Sequence, residues 1–166
     1  MPEALSPAAY NASLEGPLGR VWVASDGDRI TQVSFAPLTA RCTTIPGVLT
    51  EALRQLEAYM RNGQTRFDLP IRLEGTPFQQ EVWGLLNTLP PGRVLSYQQL
   101  AGRMGGRTIA RTVGNACGAN PLPILVPCHR VVGSNGSLTG YVGELWRKHW
   151  LLKHEGARTN DLFDGH

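Results

Sequence analysis

Residues 76–118 are cut into short pieces by helix start and stop signals, and this punctuation constrains the fold more than any other feature. Thr76 is suited to N-capping, Pro77 fits the first helical position, and Gln79 completes a capping box. Phe78, Val82, Leu85, Leu86 and Leu89 then present an apolar face until Pro90-Pro91-Gly92 stops the helix. Ser96 and Gln99 repeat the capping-box spacing ahead of Leu100, Ala101 and Met104, and Gly105-Gly106 end that element. Thr108 is the expected cap of a third helix with inner stripe Ile109, Val113 and Cys117. A short helix, a glycine turn and a second short helix are the elements of a helix-turn-helix.

The opposite face of that third helix repeats Ala110, Gly114 and Gly118 at i, i+4 and i+8. Each glycine costs roughly 1 kcal/mol relative to alanine, so a smooth stripe implies that something approaches closely. A tight helix–helix contact is one reading. DNA is the other, favoured here by Arg111 beside the stripe. The stripe has no long side chain to read major-groove base edges, which points to shape-based or minor-groove docking with Arg111 as the probe.

The first half reads differently. Leu18 to Ser25 and Ile30 to Phe35 are expected strands around a turn at residues 25–28, with Val21, Val23, Val33 and Phe35 as alternating apolar positions. A helix is expected from about Val48 to Asn62 with the stripe Leu49, Leu53, Leu56 and Met60, and Phe67 to Leu73 is a candidate further strand. The first eight residues read as unanchored and 158–166 as a loose tail. The expected fold is therefore a small α/β lobe over 1–75, an antiparallel sheet plus helix, followed by a mainly helical domain over 76–157.

The 166 residues carry a net charge of +3, but unevenly. No Asp or Glu occurs between Glu81 and Glu144, while Arg93, Arg103, Arg107, Arg111 and Arg130 all fall inside. That suits a polyanion such as nucleic acid, and equally a solvated basic face. No apolar run reaches membrane length and no leader opens the chain, so a soluble, cytoplasmic protein with no membrane partner is expected. Cys42, Cys117 and Cys128 are an odd set without zinc spacing, and all four histidines lie at or after position 129, so neither metal nor cofactor is expected.

Pro127-Cys128-His129-Arg130-Val131-Val132 follows the apolar run Ile124-Leu125-Val126. A thiol, an imidazole and a guanidinium where a buried segment ends suit an activated nucleophile, since the thiolate is the reactive form. A buried free cysteine beside an unrelated histidine has the same local look. A turn follows at Gly133-Ser134-Asn135-Gly136. A last helix is expected from about Glu144 to Glu155, burying Leu145, Trp146, Trp150 and Leu152, with Gly156 as its stop.

Together, Gly-Thr-Pro-Phe at 75–78, Val-Leu-Ser-Tyr-Gln-Gln-Leu-Ala at 94–101, Ala-Arg-Thr-Val-Gly at 110–114, Asn-Pro at 120–121, Pro-Cys-His-Arg-Val-Val at 127–132 and His-Glu-Gly at 154–156 resemble the O6-alkylguanine-DNA alkyltransferases, bacterial type, over about residues 70–157. The resemblance implies direct-reversal repair, in which an O6-alkylated guanine is flipped from duplex DNA and its alkyl group moves irreversibly to Cys128. It implies His129 as base, acting through a water, and Glu155 orienting the imidazole; neighbours on a strand face opposite ways, so Cys128 and His129 need either a turn or such a bridging water. On sequence alone Glu155 reads as an exposed terminal acid. Asn120 matches a hinge asparagine, although Asn-Pro is also an ordinary turn initiator. Arg111 would fill the vacated stack, Tyr97 would press on the phosphate beside the flipped nucleotide, and Ala110 and Gly114 would meet DNA. Tyr141, Val142 and Gly143, with Pro123 and Val131 nearby, would wall the alkyl pocket. Val142 replaces a serine common in mammalian members, and their zinc site has no counterpart here. The expected state in solution is a monomer. Cys42 and Cys117 read as packing residues. A lesion-marking relative, a regulator and a cysteine hydrolase are the rival classes. Those lesion markers usually lack the cysteine, regulators usually add a dimerisation element and base-reading side chains, and nothing in the sequence identifies an oxyanion site.

Overall fold

The computed structural model describes residues 9–39, 43–106 and 108–157. The expectations for residues 1–8, Cys42, Arg107 and the tail 158–166 fall outside the described residues. The chain divides into two compact units, Met1–Glu74 and Gly75–His166.

In the first unit, β1 (Tyr10–Gly16), β2 (Gly19–Ser25) and β3 (Ile30–Ser34) form an antiparallel sheet in that order. β1 and β2 meet through a two-residue loop, with Gly16 opposite Gly19. Val21, Val23 and Val33 alternate into the core, while Phe35 is half-buried beyond the end of β3. The turn between β2 and β3 is closed by Asp26, whose Oδ1 accepts from the Asp28 and Arg29 amides at 2.9 Å. Helix α1 (Gly47–Arg61) lies against all three strands. Its buried stripe is Leu49, Ala52, Leu56 and Tyr59, rotated from the expected set; Leu53 and Met60 are half-buried flanks. The segment 67–73 is not a strand. It touches the sheet at one parallel bridge, Ile30 with Ile71, because Pro70 has no N–H to extend a ladder.

The second unit opens with α2 (Pro77–Leu86), and Thr76 and Gln79 make both bonds of the capping box. Val82, Trp83 and Leu86 are its buried face, with Phe78 and Leu85 half-buried. Trp83 donates its indole N–H to the Ala116 carbonyl at 2.9 Å, tying α2 to α4 (Ala110–Gly118). A two-residue strand β4 (Leu95–Ser96) runs directly into α3 (Tyr97–Arg103), where Ser96 and Gln99 form a second complete capping box. Strand β4 pairs in parallel with β5 (Val131–Val132), fastening the start of α3 to the segment that follows Cys128. Gly105 and Gly106 turn the chain at φ +77° and +73°, values that only glycine adopts freely, and α3 and α4 then pack together.

Thr108 does not cap α4. Ile109 occupies the N-cap without a side-chain bond and is 65% exposed rather than buried. The last helix, α5 (Leu145–His154), buries Lys148, Leu151 and Leu152; Leu145 and Trp146 are exposed and Trp150 is half-buried. The cause is register, since Lys148, Leu151 and Leu152 lie at i, i+3 and i+4 on one face. No helix among the described residues is long and apolar enough to cross a membrane.

Candidate active site

Cys128 sits on a single 3₁₀ turn, Cys128–Arg130, between buried Pro127 and β5. The chain reaches it through a strained approach: Ile124, a β-branched residue, has φ +75°. Asn120 stabilises that approach. Its Nδ2 donates to the Val126 carbonyl at 2.8 Å and its Oδ1 accepts from the Leu122 amide at 2.9 Å. The Cys128 amide donates to the same Val126 carbonyl at 2.8 Å.

Behind the cysteine lies a buried ionic cluster. His129 Nε2 is 2.8 Å from Glu155 Oε2, and Arg130 holds the same carboxylate with both ends of its fork, Nε to Oε1 and Nη2 to Oε2, each at 2.8 Å. Arg130 also donates through Nη1 to the Leu89 carbonyl. All three side chains are buried. Arg130 therefore does not belong to a DNA-facing basic surface, and Glu155 is not an exposed terminal acid.

Protonation follows from this arrangement. Burial pushes the Cys128 thiol above its ordinary value, with a hydrogen bond from Asn120 and the field of Lys148 offsetting part of it. Burial pushes His129 below its ordinary value, against the pull of Glu155. Burial alone would raise the Glu155 carboxyl, but His129 and Arg130 outweigh it and hold it well below the usual carboxylate range. The resting pair at neutral pH is thus a thiol and a neutral imidazole. With the carboxylate against Nε2, that nitrogen carries the proton and Nδ1 holds the lone pair. His129 Nδ1 is buried and has no protein partner. On a turn of three residues per revolution, neighbouring side chains point about 120° apart, so a water is the natural link between Cys128 and Nδ1.

Cys128 opens onto a cavity of about 300 Å³ lined also by Tyr97, Gly114, Cys117, Gly118, Gly140, Tyr141 and Val142. A shallower opening beside it is lined by Tyr97, Ala110, Arg111, Gly114, Thr139 and Gly140. Of the residues expected around an alkyl pocket, Tyr141 and Val142 line the cavity. Pro123, Val131 and Gly143 are buried outside that lining. The small face of α4 is only partly covered by another helix: a Cβ on Gly118 would meet nothing within 4 Å, and one on Gly114 would touch the ring of Tyr97, at the start of α3, at 3.7 Å.

Two domain descriptions cover nearly all of this. The DNA binding domain of 6-O-methylguanine DNA methyltransferase matches residues 77–157, and its ribonuclease-like domain matches 9–73. A methylated-DNA–protein-cysteine methyltransferase of Shigella flexneri is 42% identical over 159 residues, spanning 84% of this chain and 91% of that protein. The chain belongs to the 6-O-methylguanine DNA methyltransferase family. The methylated-DNA–protein-cysteine methyltransferase of Mycobacterium tuberculosis is 40% identical over 88% of this chain and 92% of its own length. The crystal structure of Mycobacterium tuberculosis OGT in complex with DNA superposes with a TM-score of 0.79 at 40% identity, covering 93% of this chain and 99% of that one.

Against this family background, the structure brings in Lys148, which sequence reading missed. Its Nζ donates to the Thr139 carbonyl at 3.1 Å, and to the Gly140 carbonyl and the Tyr97 hydroxyl at 3.3 Å. One ammonium thus ties α5, the start of α3 and the loop that walls the cavity. Burial pushes it down to about 8, with Cys128 and Cys117 pulling the other way. The available signal was helical spacing: Lys148 stands four residues before Leu152, a position already assigned to the core face. Cys117 also lines the cavity; burial and its neighbour Cys128 push its thiol up to about 12, and among the described residues no imidazole or carboxylate is hydrogen-bonded to it. Among the described residues no group of three or more His, Cys, Asp or Glu is placed to hold a metal ion.

Proposed function

We propose that this protein repairs O6-alkylguanine in duplex DNA by direct reversal, transferring the alkyl group once and irreversibly to Cys128. The observation that carries the reading is the Cys128 thiol opening onto the cavity with the buried His129–Glu155–Arg130 cluster behind it. In the transfer, a sulfur–carbon bond forms as the carbon–O6 bond breaks. The thiol proton passes through water to His129, and an equivalent proton goes to the guanine, so the step balances without a cofactor or oxidant. The thioether is stable, hence one turnover per molecule.

A stacked base cannot present O6 to a buried thiol, so the nucleotide must be extruded at a cost of a few kcal/mol. In this reading residues 76–157 bind DNA and do the chemistry, with α3 and α4 as a helix-turn-helix. The small face of α4, Ala110 and Gly114, docks in the minor groove, Arg111 fills the vacated stack, and Tyr97 supports the phosphate beside the flipped nucleotide. Tyr141 and Val142 contact the alkyl group. Asn120 holds the nucleophile's segment and donates to the thiolate as it forms, and Glu155 keeps the tautomer of His129. The protein acts as a monomer in the cytoplasm, where its substrate is.

The test is incubation with a duplex carrying one O6-methylguanine, followed by intact and peptide mass spectrometry. One methyl group on the Cys128 peptide, saturating at one per protein and absent in Cys128→Ala, is expected. Tight binding without an adduct, or methylation elsewhere, overturns the reading.

A further inference from the structure

Ile109 breaks two local rules at once. It stands at the N-cap of α4, where Ser, Thr, Asp and Asn are preferred because their oxygens answer the free amides of the first turn, and it offers none. Among the described residues it is also the most exposed of the large hydrophobic side chains, at 65%. Thr108, one residue earlier, carries the hydroxyl a cap wants, yet does not cap the helix. Local violations that fold stability does not explain belong to function more often than to chance.

Its surroundings indicate what covers it. Ile109 lines an open groove of about 480 Å³ between α3 and α4, together with Gly102, Gly106, Thr108, Ala110 and Arg111. The groove lies within the stretch from Glu81 to Glu144 that contains no acid, so no carboxylate of that stretch repels a polyanion. The minor groove of DNA presents aliphatic deoxyribose faces between its phosphates, and proteins that dock there commonly seat aliphatic side chains against them. We infer that Ile109 is an apolar minor-groove contact beside Arg111, seating its branched side chain on sugar and base edges as α4 docks. This rests on the DNA-docking reading of α4 above.

Apolar and ionic contacts leave different marks. An arginine that neutralises a phosphate releases a counterion and adds about 0.9 to the slope of log affinity against log salt, whereas an aliphatic contact adds nothing. Ile109→Ala removes three carbons. Their full burial is worth about fiftyfold in affinity, and half-burial just under tenfold.

The experiment measures affinity of the full chain for an unmodified duplex and for one carrying O6-methylguanine across a salt series, for wild type, Ile109→Ala, Ile109→Thr and Arg111→Ala. Melting temperature and sedimentation are recorded alongside. Ile109→Ala is expected to lose about tenfold on both duplexes at every salt concentration, with unchanged slope and melting temperature. Ile109→Thr, which keeps the branch and adds a polar atom, falls between, and Arg111→Ala lowers the slope. Wild-type affinity in Ile109→Ala overturns the inference, as does a loss that vanishes at high salt, or a self-association of wild type that Ile109→Ala abolishes. Failure of wild type to bind either duplex overturns the docking reading itself, a separate outcome.

Discussion

Replacing Arg130 by methionine tests the buried cluster most directly. The guanidinium makes two bonds to the Glu155 carboxylate and one to the Leu89 carbonyl, in a pocket where all three charged or titratable side chains are buried. Removing one partner of a buried ion pair costs about 3–5 kcal/mol, because the other charge is left uncompensated. Here the carboxylate keeps His129, so the lower end applies, about 3 kcal/mol, or on the order of 10 °C in melting temperature. The loss should depend on pH in a definite sense. Without Arg130, the carboxylate recruits a proton onto His129 and raises the imidazole above its ordinary value, where burial now holds it below. A group raised in the folded state adds stability that is present at low pH and disappears as pH rises through its folded value. The variant should therefore lie closest to wild type near pH 5–6 and furthest below it above pH 8, and the acid limb of its transfer rate should move to higher pH. Denaturant melts across pH, paired with single-turnover transfer rates, measure both. A deficit under about 1 kcal/mol, or one that does not change with pH, would refute the idea that Arg130 neutralises Glu155.

Lys148→Met probes the ammonium that ties Tyr97, Thr139 and Gly140. Wild type should gain on the order of 3 kcal/mol of stability relative to this variant as pH rises from about 8 to 10, because Lys148 is pushed down to about 8 when folded and titrates near its ordinary value when unfolded; pH-dependent denaturant melts read the difference. Transfer by the same variant should slow at pH 7 as the loop wall loosens. Trp83→Phe removes the bond to the Ala116 carbonyl and should cost about 1–3 kcal/mol, read by thermal unfolding, while leaving the thiol chemistry intact. Gly118→Ala meets open space, so it should hold or raise stability by up to about 1 kcal/mol. Because Gly118 lines the cavity, the same change should slow transfer of a benzyl group more than of a methyl group, a ratio measured by competing the two lesions.

What was legible in the sequence was mostly what local chemistry decides. Both capping boxes form because Thr76 with Gln79 and Ser96 with Gln99 need only their own backbone. Strand β1 was missed because Asn11, Ala12, Ser13 and Glu15 are weak strand formers and its residues are only half-buried, so neither propensity nor apolar alternation stands out. The face of α5 is not legible from hydrophobicity, because Leu145 and Trp146 are exposed while Lys148 is buried. A buried lysine with carbonyl and hydroxyl partners cannot be inferred from its own residue type. Arg130 looks like a solvent-facing arginine in the sequence for the same reason. Its burial depends on Glu155, twenty-five residues away, and composition carries no such information. The approach of Glu155 to His129 was suggested only by family resemblance. Residue by residue, an acid at a helix C-terminus, where the macrodipole disfavours it, reads as an exposed end.

The departures from local preference are not scattered. Ile124 at φ +75° precedes the nucleophile, and Glu144 at φ +77° and ψ 153° holds a conformation nearly reserved for glycine just after Val142 in the cavity wall. Each costs of order 1–3 kcal/mol, and each persists only where the surroundings over-determine it. The surroundings do so in both places. Asn120 clamps the turn that contains Ile124 from two sides, through the Leu122 amide and the Val126 carbonyl. Lys148 grips the loop before Glu144 at two carbonyls, while Arg147 donates to Gly143 at 2.8 Å. The buried polar side chains are thus clamps on strained backbone as well as tuners of charge. These clamps hold the cavity wall from the Asn120 and Lys148 sides, while on the α4 side Gly114 meets the Tyr97 ring and Gly118 leaves the wall open. On the proposed single transfer, that open side is where DNA would bring the alkyl group to Cys128.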